Sequence, residues 1–278
     1  MSAFSSLPLS PTLHRSLGTL DYEQMTPVQA ESLPCIVAGR DMIVQAPTGS
    51  GKTAAFGIGL LHRLDPELLR VQALVLCPTR ELSDQVAKVI RRLAVGIPNI
   101  KVSILTGGIA LAPQLASLRK DPHVVVGTPG RIEELLGKHV LSLAKVRTLV
   151  LDEADRMMDM GFEEPIRAIV SHTPPTRQTL LFSATYPDSI RTMARAMLRD
   201  PLEVTVAAAV EQVAIEQRFY EVDAKAKPAA LAVLLHEHRP ESTVVFCNTR
   251  RDTSVVVDAL KGFGIDALAL HGDIDQRD

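Results

Sequence analysis

Ala46-Pro47-Thr48-Gly49-Ser50-Gly51-Lys52-Thr53 lies between an apolar run, Met42 to Val44, and a helix-like stretch that opens near Thr53. A strand, a glycine-rich turn and a helix in that order form an anion cradle. Gly49 and Gly51 let the backbone turn tightly with successive N–H groups pointing inward, and the helix N-terminus adds the positive end of its dipole. The ligand implied is a polyphosphate. Lys52 can reach the β and γ phosphates, and the Thr53 hydroxyl can complete the shell of a Mg²⁺ ion. The same residues also read as an ordinary tight turn and helix start, and Ala46 stands where the general phosphate-loop pattern has Gly.

Outward from this loop, short apolar runs alternate with helical patterns from Asp41 to about Val206. The runs are Met42–Gln45, Ala73–Cys77, Val102–Leu105, His123–Val126, Thr148–Leu151, Thr179–Phe182 and Leu202–Val206; amphipathic stretches such as Glu81–Leu93 and Pro187–Leu198 separate them. Strands of Val, Leu and Ile without two-residue alternation are buried on both faces, which predicts an α/β fold with a parallel sheet and helices on either side. Function then belongs at the carboxyl ends of the strands. Residues 207–216 show little periodicity and read as a linker. A second alternation follows: strand Gln217–Val222, helix Lys227–His238, strand Thr243–Cys247, helix Asp252–Leu260 and strand Ile265–Leu270.

Val150-Leu151-Asp152-Glu153-Ala154-Asp155 is an apolar strand ending in carboxylates, far enough from Lys52 for the two strand ends to be neighbours in the sheet. An Asp there can hold Mg²⁺, and an adjacent Glu can orient and deprotonate an attacking water. An acidic first helical turn, favoured by the dipole, is the alternative account.

Ala46–Thr53 together with Asp152-Glu153-Ala154-Asp155 resembles the DEAD-box RNA helicases, and further segments match that family in its own order along the whole chain. The resemblance implies two RecA-like α/β domains. Residues 1–40 form a Q-motif region packed on the first domain, 41–206 the ATP-binding domain, and 217–278 an incomplete second one. It implies ATP and Mg²⁺ as cofactors: Ala46 to Thr53 cradle the phosphates, Asp152 and Thr53 hold the metal, and Glu153, Lys52 and Asp152 carry catalysis. Thr26-Pro27-Val28-Gln29 is similar to the Q motif, in which the Gln amide reads the adenine edge, and Phe4 matches the isolated aromatic that packs on the base. Thr26 and Gln29 also form a capping box by themselves.

The family's RNA-contacting motifs are matched by Pro78-Thr79-Arg80, Gly107-Gly108 and Thr128-Pro129-Gly130-Arg131. Backbone N–H groups, hydroxyls and arginines at such strand ends suit a sugar-phosphate backbone and read no base, so the binding implied is sequence-independent. Ordinary N-capping by Thr79 and Thr128 remains the other account. Ser183-Ala184-Thr185 resembles the motif whose hydroxyls bond the carboxylates, here Asp155, and link hydrolysis to strand separation. Val245–Thr249 and His271–Arg277 match the first two motifs of the second domain. Ala73–Glu81, Met157–Phe162 and Gln178–Thr185 are most similar to a bacterial branch, which implies ribosomal RNA as substrate and a role in ribosome assembly.

Composition limits the alternatives. With 30 basic against 32 acidic residues no global basic field advertises nucleic acid, so phosphate contacts must be local. Trp is absent and aromatics are 4%, which argues against base-stacking platforms. Cys35, Cys77 and Cys247 are odd in number and widely spaced in apolar surroundings; they read as buried thiols, with neither disulfide nor zinc. His14, His62, His123 and His172 show no metal pattern, and Met157, Met158 and Met160 read as core filler. No signal or membrane segment is evident, which predicts a cytoplasmic protein without membrane contact. The family's later arginine motifs, which approach the γ-phosphate, do not occur before Asp278. The alternative expectation is therefore an ATP- and RNA-binding module with little hydrolysis or unwinding.

Overall fold

A computed structural model of the chain describes residues 2–207 and 216–272. The chain divides into two units, residues 1–211 and 212–278. The expected linker at 207–216 falls almost wholly outside the described residues, as does the His271–Arg277 match after Gly272.

In the first unit α1 (Pro11–Thr19) and α2 (Pro27–Val37) precede β1 (Met42–Gln45) and α3 (Lys52–Arg63). There follow β2 (Ala73–Leu76), α4 (Arg80–Leu93), β3 (Val102–Leu105), α5 (Leu111–Leu118), β4 (Val124–Gly127) and α6 (Pro129–Gly137). The unit continues with β5 (Thr148–Leu151), α7 (Ala154–Asp159), α8 (Glu163–Ser171), β6 (Gln178–Ser183), α9 (Asp188–Met197) and β7 (Leu202–Thr205). All seven strands are parallel, in the order β3-β4-β2-β5-β6-β1-β7.

The phosphate-loop strand and the carboxylate strand are not neighbours, contrary to expectation. β6 pairs with both β1 and β5 and brings Ser183 between them. Sequence order does not reveal such an insertion, because each crossover helix can carry the chain past an existing strand. Burial on both faces holds for β2, β4, β5 and β6, whereas β3 and β7 alternate because they lie at the sheet edges.

Successive residues of each inner strand feed opposite layers, as the pleat requires. Met42, Val44, Ala73, Val75, Val150, Leu180 and Phe182 pack in the layer that holds α1 to α4. Ile43, Leu74, Leu76, Leu149, Leu151 and Leu181 pack in the layer that holds α6 to α9. Phe56 of α3 meets Phe182 with ring centroids 5.3 Å apart, and a Cβ on Gly59 would lie 2.1 Å from Ile36, so α3 and α2 touch through that glycine. Residues from Phe4 to Val37 share this core, which seats the N-terminal segment against the sheet.

The second unit has α10 (Lys227–His238) and α11 (Arg250–Gly262), as the periodicity predicts. The three expected strands, Gln217–Val222, Thr243–Cys247 and Ile265–Leu270, form no ladder among the described residues. A helix satisfies its backbone internally, but a strand exists only through its neighbours. Phe219, Phe246 and Leu268 on these runs are about nine-tenths exposed, at 91%, 93% and 90%. No helix among the described residues is long and apolar enough to cross a membrane.

Candidate active site

The loop between β1 and α3 follows the strand-turn-helix plan. Gly49 and Gly51 adopt φ of +81° and +97°, which L side chains rarely occupy. Ser50 closes the turn on the Pro47 carbonyl through both its N–H (3.4 Å) and its hydroxyl (2.8 Å). Lys52 is buried and its Nζ donates to the carbonyl of Ala46 at 2.8 Å, so the ammonium is drawn back into its own loop. Thr48 and Gly49 are exposed, and Pro47, Ser50, Gly51 and Thr53 half-buried.

The start of α2 grips this loop from outside. The Thr26 hydroxyl donates to the Ser50 carbonyl (2.8 Å) and the Gln29 amide Nε2 to the Gly51 carbonyl (3.1 Å). Gln29 Oε1 accepts from the Thr26 N–H (2.9 Å), so this side chain caps α2 and holds the loop at once. A Cβ on Gly51 would fall 2.6 Å from Gln29 Nε2, a second reason for glycine there.

The carboxylates sit where β5 passes into α7. Asp152 is 3% exposed, and its pKa is pushed up to about 6 by burial, with Lys52 pulling it down and Glu153 pushing it up. Its Oδ1 accepts from the Glu153 N–H at 3.1 Å. Glu153 stands at the N-cap position of α7 in the left-handed region, φ +52° and ψ +54°, a costly backbone for a non-glycine residue. Its carboxylate faces Arg156 at 3.6 Å. Burial raises the Asp155 pKa, but hydrogen bonds from Thr185, Ser183 and Arg156 outweigh it and hold the carboxyl low. Thr185 donates to Asp155 Oδ2 through both N–H and hydroxyl, each at 2.9 Å, while the Asp155 N–H donates to the Ser183 hydroxyl at 3.2 Å. The turn after β6 is thus tied to the start of α7.

The expected RNA-contacting residues gather at the carboxyl ends of β2, β3 and β4. Thr79 caps α4 by accepting from the Leu82 N–H at 3.2 Å. The Thr128 hydroxyl accepts from the Gly107 N–H at 3.2 Å instead of capping α6. Arg80 donates to the Gly108 carbonyl at 3.2 Å, and Arg131 to that of Ile109 at 3.2 Å. The two arginines differ in access, with side chains 31% and 10% exposed, and Arg131 also faces Glu134 at 3.0 Å. Pro78 and Pro129 are buried behind these loops and Gly130 is exposed.

Several placements depart from expectation. Phe4 is 2% exposed and packs edge-on against Tyr22 at 5.6 Å, inside the core and not on an open face. Of the methionines, Met157 is buried but Met160 is 48% exposed. Cys77 is buried, and burial together with Asp152 pushes its thiol pKa well up; Cys35 and Cys247 are half-exposed. His123 is fully buried as a staple, with Nδ1 accepting from the Lys101 N–H (3.2 Å) and Nε2 donating to the Pro66 carbonyl (3.0 Å).

Sequence reasoning missed Gln114, whose buried amide pairs with both the N–H and the carbonyl of Thr106 at 3.0 Å and also reaches the Ala110 carbonyl, shaping the Gly107-Gly108 loop. A lone Gln amid Leu111-Ala-Pro-Gln-Leu-Ala-Ser-Leu118 was its signal. Gln45, beside the phosphate loop, was missed as well.

Known proteins are similar to this chain in sequence and fold. The chain is 52% identical over 279 residues to the ATP-dependent RNA helicase DbpA of Escherichia coli, covering 100% of this chain and 61% of that protein. It is 42% identical over 277 residues to the DEAD-box ATP-dependent RNA helicase CshA of Geobacillus kaustophilus, covering 99% of this chain and 59% of that one. The chain thus spans about three-fifths of the length of these curated relatives. The crystal structure of a DEAD box protein from the hyperthermophile Methanococcus jannaschii superposes with a TM-score of 0.70 at 35% identity, over 99% of this chain and 74% of that one. The family model of the DEAD/DEAH box helicases matches residues 26–193, from the capped start of α2 to the middle of α9, and the chain belongs to that family.

Proposed function

We propose that this protein couples ATP binding and hydrolysis to local unwinding of RNA duplexes. The observation that carries this reading is the convergence of three groups at the carboxyl end of one sheet: the loop holding Lys52, the buried Asp152 beside Glu153, and the Ser183–Thr185 turn bonded to Asp155. The similar proteins of Escherichia coli and Geobacillus kaustophilus, named as ATP-dependent RNA helicases, support the same activity.

The residues fit a nucleotide and a metal. Lys52 is buried against a carbonyl that an anionic phosphate would outcompete, and Asp152 is a buried carboxyl close enough to Lys52 to feel its charge. Mg²⁺, when bound, neutralises phosphate charge and polarises the bond to be broken. Asp152 and Thr53 would hold it, the backbone of Ala46–Gly51 would orient the phosphates, and Lys52 would bind the β and γ groups. Glu153, at the turn from β5 into α7, would take the proton of the attacking water. Gln29 would read adenine. Its second amide hydrogen is free of the bond to Gly51, so recognition need not break the grip on the loop. Phe4 would reach the base only by leaving Tyr22.

RNA would lie across Pro78-Thr79-Arg80, Gly107-Gly108 and Thr128–Arg131, contacted through its backbone without sequence preference. Residues 41–206 are read as the ATP-binding domain with 1–40 packed on it, and 217–278 as part of a second RecA-like domain. Ribosomal RNA as the substrate class, ribosome assembly as the setting and the cytoplasm as the location are carried over from the family resemblance of the sequence motifs.

ATP turnover measured with and without RNA, alongside release of strands from RNA and DNA duplexes, tests the reading. RNA-stimulated turnover with release from RNA alone is expected. Binding of ATP and RNA without turnover would leave a binding module in its place.

A further inference from the structure

Gln45 is the last residue of β1 and sits opposite Ser183 in the β1–β6 register. The ladder runs one step further, since the Ala46 N–H donates to the Ser183 carbonyl at 3.0 Å. The Gln45 side chain then reaches beyond the ladder, its Nε2 donating to the Ala184 carbonyl at 3.3 Å. On the far side of the same turn, Thr185 and Ser183 hold Asp155. Three consecutive residues are therefore bonded on one flank to the strand and first residue of the phosphate loop, and on the other to the helix that carries the carboxylates.

Ala184 and Thr185 are otherwise exposed, and neither makes a ladder bond. The path between Ala46, whose carbonyl holds the Lys52 ammonium, and the Asp155–Thr185 pair runs through this turn. Any shift of Lys52 onto a phosphate frees the Ala46 carbonyl, which adjoins Gln45. A side-chain amide spanning from strand to turn makes the turn follow such a shift, where the backbone ladder alone ends at Ser183.

We propose that Gln45 is a positioning residue that couples the state of the phosphate loop to the Ser183–Thr185 turn, and through it to strand separation; this rests on the helicase reading above. A simple structural amide would alter stability and every activity together. A coupling amide alters how much unwinding each ATP yields.

The test uses Gln45→Met, similar in length but without a donor, and Gln45→Glu, which places a carboxylate against the Ala184 carbonyl. In each, affinity for a fluorescent ATP analogue is expected to stay within about twofold, because Gln45 makes no bond to the phosphate cradle itself. RNA strands released per ATP hydrolysed are expected to fall about fivefold or more. Backbone amide exchange across residues 183–187 gives a second readout: ATP slows it in the unaltered protein and leaves it unchanged in Gln45→Met. Unaltered strands per ATP, or a joint fall of affinity, turnover and melting temperature, would overturn the proposal. If the unaltered protein binds the analogue but releases no strands, the helicase reading fails and the exchange comparison decides the proposal alone. With no analogue bound, both fall.

Discussion

The Lys52 ammonium donates to the carbonyl of Ala46 at 2.8 Å, so the cation of the phosphate loop neutralises the loop's own backbone dipole. A phosphate must draw it away, and the gain is that of an ammonium–phosphate ion pair over an ammonium–carbonyl bond. Lys52→Ala is therefore expected to weaken ATP binding by roughly 10- to 100-fold, as loss of about 1.5–3 kcal/mol implies. Titration with a fluorescent ATP analogue checks this; a loss under threefold would mean that Lys52 serves the fold and not the ligand.

Asp152 supplies a pH signature. Its pKa rises from 3.8 to about 6 on folding because burial penalises the carboxylate. Below the unfolded value both states are protonated and nothing is lost. As pH rises from about 4 to 6 the unfolded chain releases its proton first, so stability declines through that window and the cost is complete above it. A shift of this size corresponds to roughly 3 kcal/mol. Asp152→Asn, whose Oδ1 can still accept from the Glu153 N–H, is expected to melt several degrees higher at pH 7.5 without Mg²⁺, with the difference vanishing near pH 4. Melting temperatures of the two proteins across pH 4 to 8 decide it, and a constant difference would show that burial is not the cause.

Glu153→Gln should separate binding from chemistry. The amide keeps the size of the side chain and leaves Asp152 and Thr53 untouched, but it cannot take a proton. RNA-stimulated turnover is expected to fall about 10² to 10⁴-fold with ATP affinity within a few-fold. Loss of ATP binding instead would exchange the roles given to the two carboxylates.

Gln29 uses its oxygen for Thr26 and its amide for Gly51, so two substitutions divide its work. Gln29→Glu retains the capping oxygen but faces the Gly51 carbonyl without a donor, and it removes the donor offered to adenine. Both Gln29→Glu and Gln29→Ala are expected to lose preference for ATP over GTP, whereas Gln29→Ala alone loses the cap, at about 1 kcal/mol of stability. Unchanged nucleotide preference in both would leave only the structural role.

The sheet was legible because inner strands such as Val124–Gly127 and Thr148–Leu151 are apolar on both faces, so length and composition mark them without any knowledge of partners. Strand order was not, because nothing in Thr179–Phe182 says that it will insert between β1 and β5. In the site, local motifs announced Lys52, Asp152 and the Ser183–Thr185 turn. Contacts made across long separations were silent: Gln45 to Ala184, Thr26 to Ser50, and Phe4 closed over by Tyr22 all depend on which segments the fold brings together. The apolar runs of the second unit misled for the same reason, since a strand pattern does not supply its own partner.

Arg80 and Arg131 occupy matching places after β2 and β4, and their surroundings predict different outcomes. Arg80 is about a third exposed at 31%, and its guanidinium has one neutral partner at Gly108 and Glu81 at 3.6 Å. Reorienting it toward a phosphate costs little. Arg131 is 10% exposed and held by the Ile109 carbonyl and the Glu134 carboxylate, so part of its charge is already spent within the fold. Arg80→Ala is expected to weaken RNA binding uniformly across sequences and to lower the salt slope by about 0.7, one single-strand phosphate contact, while leaving the melting temperature nearly unchanged. Arg131→Ala should lower the melting temperature as well, because removal of a largely buried cation leaves Glu134 and the Ile109 carbonyl without it, and Arg131→Lys should restore stability less than fully for want of the planar fork. Salt-dependent RNA titrations and thermal melts on the three variants measure both quantities. An Arg80→Ala protein with an unchanged salt slope would remove Arg80 from the RNA path, and an Arg131→Ala protein that keeps its melting temperature but loses the slope would make Arg131 the stronger phosphate contact.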